Sequence, residues 1–148
     1  MLDFGSQYTQ LIARRLRELS VYTEILPFDV SATAIREKDP AGVILSGGPA
    51  SVSKIDAPHC DADIFASDFP VLGICYGMQE MTEAFGGVVT RATEREYGHA
   101  TVTIDQDSVL FRNVSKELKV WASHGDFIEA QPPGFSVIGT SANAPVSA

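Results

Sequence analysis

Two short segments constrain the fold of this chain more than any other feature. "GVIL" (Gly42 to Leu45) and "PVLGI" (Pro70 to Ile74) contain no polar side chain. A strand with one wet face alternates apolar and polar residues, whereas a strand lacking polar positions must be covered on both faces. Between such segments the chain reads as helix. "LDFG" at Leu2 to Gly5 is a short strand, and Ser6 is the expected N-cap of a helix over Gln7 to Leu19. Leu11, Ile12, Leu16 and Leu19 are its expected apolar stripe. "VYTEILPF" reads as a second strand, Ser31 to Arg36 as a short helix, and His59 to Ser67 as a further helix. A helix then follows Cys75 to about Phe85, closed by Gly86-Gly87. Strands and helices in alternation predict an α/β fold, a mostly parallel sheet flanked by helices. The second half differs: Val88 to Ile104 and Lys119 to Ile138 are β-rich, with turns at Asp105-Gln106-Asp107 and Pro132-Pro133-Gly134. These predict extra antiparallel or mixed strands added to the parallel core. No internal repeat, linker or low-complexity tract interrupts residues 1–148, which are read as one domain.

Charge and hydropathy exclude several function classes. Nucleic-acid binding needs cations to neutralise phosphates, and the formal net charge here is −8. The one basic cluster, Arg14, Arg15 and Arg17, is expected on a solvated helix face or against a neighbouring domain. No segment approaches the roughly 18 consecutive apolar residues that a membrane span requires. No basic, apolar leader opens the sequence, so a cytoplasmic location with reduced thiols is expected.

Strands of such sheets present their chemistry at their carboxyl ends. Three glycine-bearing turns fall there: Gly5-Ser6, Gly47-Gly48-Pro49 and Gly73-Ile74-Cys75-Tyr76-Gly77. The third has the spacing of a nucleophile elbow, in which flanking glycines relieve crowding at a strained strand-to-helix turn. The helix behind Cys75 directs its positive end at the sulfur, favouring the thiolate, and its unpaired amides can receive an oxyanion. The turn "SGGP" (Ser46 to Pro49) is equally open to a reading as a second oxyanion donor or as a plain tight loop. Cys60 lacks glycine flanks and reads as a buried small hydrophobe. Among the histidines, His124 in "SHGD", two residues before Asp126, is the best base that spacing alone offers. His59 and His99 read as ordinary surface histidines.

The motifs "LDFGSQYTQLIARRLREL", "GVILSGGPASV", "GICYGMQEM", "EREYGHATV" and "VWASHGDF" occur in order along the whole chain. Together they resemble the class I (triad) glutamine amidotransferases, and within them the domain found in GMP synthetases. The resemblance implies a flavodoxin-like fold and release of ammonia from glutamine. It implies that Cys75 is the nucleophile, passing through a glutamyl thioester, with the backbone amides of Gly48 and Tyr76 holding the oxyanion. It implies that Gln79 and the segment Ser123, His124, Gly125 and Asp126 contact the bound glutamine, Asp126 suiting its α-amino group. His124 thereby passes from candidate base to pocket residue.

In the family the triad histidine and its glutamate lie in a His-Pro-Glu motif, which this sequence lacks. The chain stops in "GTSANAPVSA", so the motif, with a closing strand and helix, is expected beyond Ala148. The resemblance further implies an ATP-pyrophosphatase (synthetase) domain, fused or on a partner subunit, that uses ATP and Mg²⁺ to activate XMP for amination to GMP. No metal or cofactor is expected in the present domain, and a homodimer is expected to form through parts outside it. The competing readings are an amidotransferase domain serving another synthetase, a non-catalytic module that keeps the fold, and a cysteine hydrolase or chaperone sharing the elbow. A polypeptide ending at Ala148 is expected to hydrolyse glutamine little or not at all. Turnover matching that of a full-length domain, in an ammonia-release assay, would contradict this.

Overall fold

The computed structural model describes residues 1–105 and 107–148, with side chains described for all of these except 92–97, 123 and 124. The chain divides into two compact units, Met1–Met81 and Thr82–Ala148. The first holds four short parallel strands: β1 (Leu2–Asp3), β2 (Leu26–Pro27), β3 (Val43–Leu45) and β4 (Val71–Gly73). Their order in the sheet is β2-β1-β3-β4. Leu2 stands between Leu26 and Leu45, and Val43, Ile44 and Leu45 pair with Val71, Leu72 and Gly73. This order places a switch point between β1 and β3, the position at which open α/β sheets bind ligands beyond the strands' carboxyl ends.

Helices α1 (Thr9–Glu18) and α2 (Ala32–Arg36) belong to this unit, and α3 (Tyr76–Ala84) begins in it. Helix α1 covers the core with Thr9, Ile12, Ala13 and Leu16, the i, i+3, i+4, i+7 set of one helical face. Leu11 and Leu19, expected on that stripe, are exposed. Leu11 is one residue off the face, and Leu19 follows the last helical residue as its C-cap. Ser6 is not the N-cap, a position taken by Tyr8; its Oγ instead accepts the Tyr8 amide in the turn before the helix. The arginines are solvated as expected, with Arg14 and Arg15 both paired to Glu18. Of the expected strand "VYTEILPF" only Leu26–Pro27 pairs, and of the helix expected over His59 to Ser67 only a 3-10 turn, Ala62–Ile64, forms. Asp61 caps that turn through the Asp63 amide and also accepts the Ala32 amide at the start of α2. Leu2, Phe4, Leu45, Ile64 and Tyr76 form the centre of the core, with the Phe4 ring between Phe28 and Tyr76.

The second unit is built on a long antiparallel pair, β5 (Val88–Ile104) and β6 (Glu117–Ala130), with β7 (Gly139–Ser141) on the outer side of β5. These strands form their own sheet rather than extending the parallel one, because their partners are one another. His99 faces Trp121 across the pair, the two rings edge to face at 5.1 Å. Helix α3 ends in a Schellman motif: the Gly86 amide returns to Glu83 and the Gly87 amide to Thr82, with Gly86 at φ +81°. Of the expected turn at 105–107, Gln106 lies outside the described residues. Among the described residues no helix is long and apolar enough to cross a membrane.

The two amide bonds to Asp61, that from Ala32 first, hold its carboxyl below its ordinary value of 3.8. A carboxyl depressed in the folded state contributes stability above its unfolded pKa and loses it as pH falls through the folded one. Asp61→Ala should therefore lower the urea unfolding midpoint at pH 7. Its deficit relative to wild type should shrink as pH is taken below 3.8, in unfolding curves followed by circular dichroism.

Candidate active site

The site is assembled at the carboxyl ends of β1, β3 and β4, where Ser46 ties β1 and the turn after β3 to the start of α3. Its amide donates to the Leu2 carbonyl at 3.0 Å, and its Oγ accepts the Phe4 amide at 2.9 Å and donates to the Gly47 carbonyl at 2.8 Å. Its own carbonyl accepts the Gly77 amide at 3.0 Å. Ser46 is fully buried, so each of these bonds replaces water that the group has lost. One residue, through its backbone and its hydroxyl, thus sets β1, the glycine turn after β3 and the first turn of α3 relative to one another.

The flanking glycines are required by backbone proximity. A Cβ on Gly77 would lie 2.5 Å from both Cβ and the carbonyl oxygen of Leu45, and one on Gly73 2.5 Å from the Gly77 carbonyl oxygen. Between them Cys75 adopts φ +53°, a left-handed conformation that L-residues rarely hold. Its carbonyl accepts the Met78 and Gln79 amides, so α3 begins immediately behind it. The Cys75 side chain is exposed. This is the strained, solvent-facing elbow that the glycine spacing predicts.

The SGGP turn stands against the elbow: a Cβ built on Gly47 would be 3.5 Å from Cys75 Cβ. Gly48 is held under Phe4, where a Cβ would lie 2.7 Å from the Phe4 carbonyl oxygen. Its amide donates no hydrogen bond among the described residues. An amide so placed can serve an incoming acceptor. Tyr76, fully buried, follows Cys75 at the start of α3, and Gln79, also buried, lies one turn along. The fold therefore brings Cys75, Tyr76, Gln79 and the Gly47-Gly48 turn together. Gly125 and Asp126 lie on β6 in the second unit, Asp126 buried and in register with Arg91. The side chains of Ser123 and His124 lie outside the described residues.

Two residues escaped the sequence reading. Glu80 is buried on α3, with Oε2 accepting from His59 Nδ1 at 2.9 Å and Oε1 accepting the Cys60 amide at 3.1 Å. His59 is thus exposed as expected, but its ring is paired with a buried carboxylate. The available signal was Glu80 standing four residues after Tyr76, on the same face of an otherwise well-buried helix. Cys60 is buried as expected, and its thiol is pushed up to about 12, by desolvation first and then by the Glu80 charge. It is protonated and unreactive at neutral pH. A shallow cavity of about 550 Å³, lined in part by Arg36, Asp39, Ser67 and Pro70, lies at the amino ends of β3 and β4, away from Cys75. Among the described residues no group of three or more His, Cys, Asp or Glu side chains could hold a metal ion.

An exposed cysteine on a left-handed elbow, beside a glycine turn at the carboxyl ends of a parallel sheet, defines a cysteine-elbow α/β protein. The model of the family "Glutamine amidotransferase class-I" matches residues 1–148, and the chain belongs to that family. It is 59% identical over 145 residues to a GMP synthase [glutamine-hydrolyzing] of Campylobacter lari, and 53% identical over 148 residues to that of Caldanaerobacter subterraneus. These matches cover 98% and 100% of this chain but only 28% and 29% of the relatives, so the chain spans under a third of their length. Among solved structures it is similar to a Thermoplasma acidophilum protein described as a GMP synthase A subunit. That match has a TM-score of 0.85 and 31% identity, and covers 98% of this chain and 73% of that one. A glutamine amidotransferase of Thermotoga maritima shares the fold, with a TM-score of 0.73 at 22% identity over 97% of this chain and 64% of that one.

Gly77→Ala should destabilise the protein by about 3 kcal/mol or more, since the new methyl meets backbone rather than a movable side chain. Cys75→Gly should be more stable than Cys75→Ala by about 1 kcal/mol, because only glycine tolerates this φ without strain. Urea titration of the three variants reads both differences.

Proposed function

We propose that this domain hydrolyses the side-chain amide of glutamine through Cys75 and supplies the ammonia for amination of XMP to GMP. The observation that carries the reading is Cys75 itself, exposed at φ +53° at the head of α3 and beside the Gly47-Gly48 turn. The names of the GMP synthase relatives support the destination of the ammonia.

In this reading the Cys75 thiolate attacks the amide carbon, and the carbonyl oxygen becomes an oxyanion held by the amides of Gly48 and Tyr76. The carbon–nitrogen bond breaks and ammonia departs with a proton delivered by a histidine, leaving a γ-glutamyl thioester on Cys75. Water then adds to the thioester, releasing glutamate and restoring the thiol. Gln79 contacts the bound substrate. The family resemblance assigns recognition of its amino-acid end to Ser123, His124, Gly125 and Asp126, with Asp126 as the acceptor for the α-ammonium. The histidine and its orienting glutamate are supplied by a segment beyond these 148 residues. The synthetase part, with ATP and Mg²⁺, belongs to the remaining length seen in the relatives. The assembled enzyme works in the cytoplasm as a homodimer formed through that remainder.

The test is treatment of the complete protein with 6-diazo-5-oxo-norleucine, followed by peptide mass spectrometry. Modification should fall on Cys75 and spare Cys60, whose thiol is held protonated by burial. Cys75→Ala should lower glutamine-dependent GMP formation by at least about 1,000-fold while leaving ammonia-dependent formation in place. Failure of the analogue to label Cys75 would sink the glutaminase reading.

A further inference from the structure

Glu80 is 4% exposed, and a buried carboxylate is costly unless its oxygens are occupied. Here both are: Oε2 accepts from His59 Nδ1 at 2.9 Å, and Oε1 accepts the Cys60 amide at 3.1 Å with Cys60 Sγ at 3.7 Å. One turn earlier on α3, Tyr76 Oη donates to the Pro58 carbonyl at 2.7 Å. Residues four apart share a helix face, so Tyr76 and Glu80 grip Pro58, His59 and Cys60 side by side.

That segment closes the loop that begins at the Gly47-Gly48 turn. The loop's first end is tied to α3 by the Gly77 amide on the Ser46 carbonyl, at 3.0 Å. Its far end is tied to the same helix by Tyr76 and Glu80. Between the two ends Val52 is buried, while residues 53–56 face solvent and Ile55 is fully exposed. Such a loop is ordered through its anchors, here its two ends and Val52.

We propose that Glu80, with His59, is a positioning residue for the oxyanion turn. By clamping the far end of the loop to the helix that carries Cys75, it holds the Gly48 amide in register with the sulfur. The inference rests on the glutaminase reading above. An oxyanion donor acts on the transition state more than on the bound substrate, so releasing the clamp should lower kcat and leave KM nearly unchanged.

The experiment is steady-state glutamine hydrolysis by the complete protein, with iodoacetamide alkylation of Cys75 and thermal unfolding measured alongside. Glu80→Ala should reduce kcat by about tenfold, with KM and the alkylation rate within about twofold of wild type. Glu80→Gln, which keeps an oxygen for the Cys60 amide and a polar group for His59, should recover most of the loss. His59 is half exposed, and its replacement leaves the core intact, so His59→Ala gives a second reading of the same clamp. It should reduce kcat about threefold. If Glu80→Ala does not fold, the Gln and His59 variants decide. A kcat within twofold of wild type in every folded variant, with only the melting temperature lowered, would overturn the inference and leave the glutaminase reading standing. A wild-type protein that neither hydrolyses glutamine nor is labelled at Cys75 would overturn both.

Discussion

Helix α3 approaches the end of β3 so closely that no side chain fits between them, and the site follows from that contact. The Gly77 amide reaches the Ser46 carbonyl because Gly77 has no Cβ to strike Leu45. Gly73 must be bare for the same reason, since the first turn of the helix folds back over it. With both neighbours pinned, the backbone at Cys75 has to reverse within one residue, and φ +53° is the result. The strain there is of order 1–3 kcal/mol, held in place by the bonds around Ser46 and by burial of Tyr76. What it yields is a sulfur presented to solvent at the amino end of a helix.

Buried polar groups are concentrated where this geometry has to be maintained. Ser46, Gln79, Glu80 and Thr82 lie at the end of β3 or along α3, and Thr9 bonds Asp3 at the end of β1. Each would weaken a core if left unpaired. Ser46 and Glu80 answer that cost by making several bonds each to segments distant in sequence. A purely apolar core would pack these elements as tightly, but it would not specify which loop lies over which helix end. Hydrogen bonds have direction, and direction sets the register of a glycine turn against a cysteine.

Much of this was legible in the sequence because backbone constraints leave a local mark. The apolar runs at Val43–Leu45 and Val71–Gly73 predicted parallel strands, though only the first is buried and Leu72 of the second is exposed, and the glycines around Cys75 predicted the elbow. Pairings between distant residues leave no such mark. Nothing in "DAPHCDADIF" shows that His59 meets Glu80 twenty-one residues later, or that Asp61 reaches back to Ala32. The stripe of α1 was misassigned for a related reason. Leu11 and Leu19 are apolar, but the helix buries Thr9 and Ala13, the smaller residues, where it lies close against the sheet.

The β-rich second half was legible as strands but not as a sheet of its own, since alternation shows that a strand is half buried and not which strand it joins. By itself, then, the amino-acid sequence determined the α/β class and the glycine-flanked cysteine elbow at the carboxyl end of a parallel strand. Those depend on hydrophobic period and on where glycine alone fits. The tertiary structure alone decided that Ser46 ties the end of β1 to the glycine turn and to α3, and that Glu80 bonds His59 and Cys60 at the far end of the loop after the Gly47-Gly48 turn. Such bonds exist only once segments far apart in the chain have been brought within hydrogen-bonding distance.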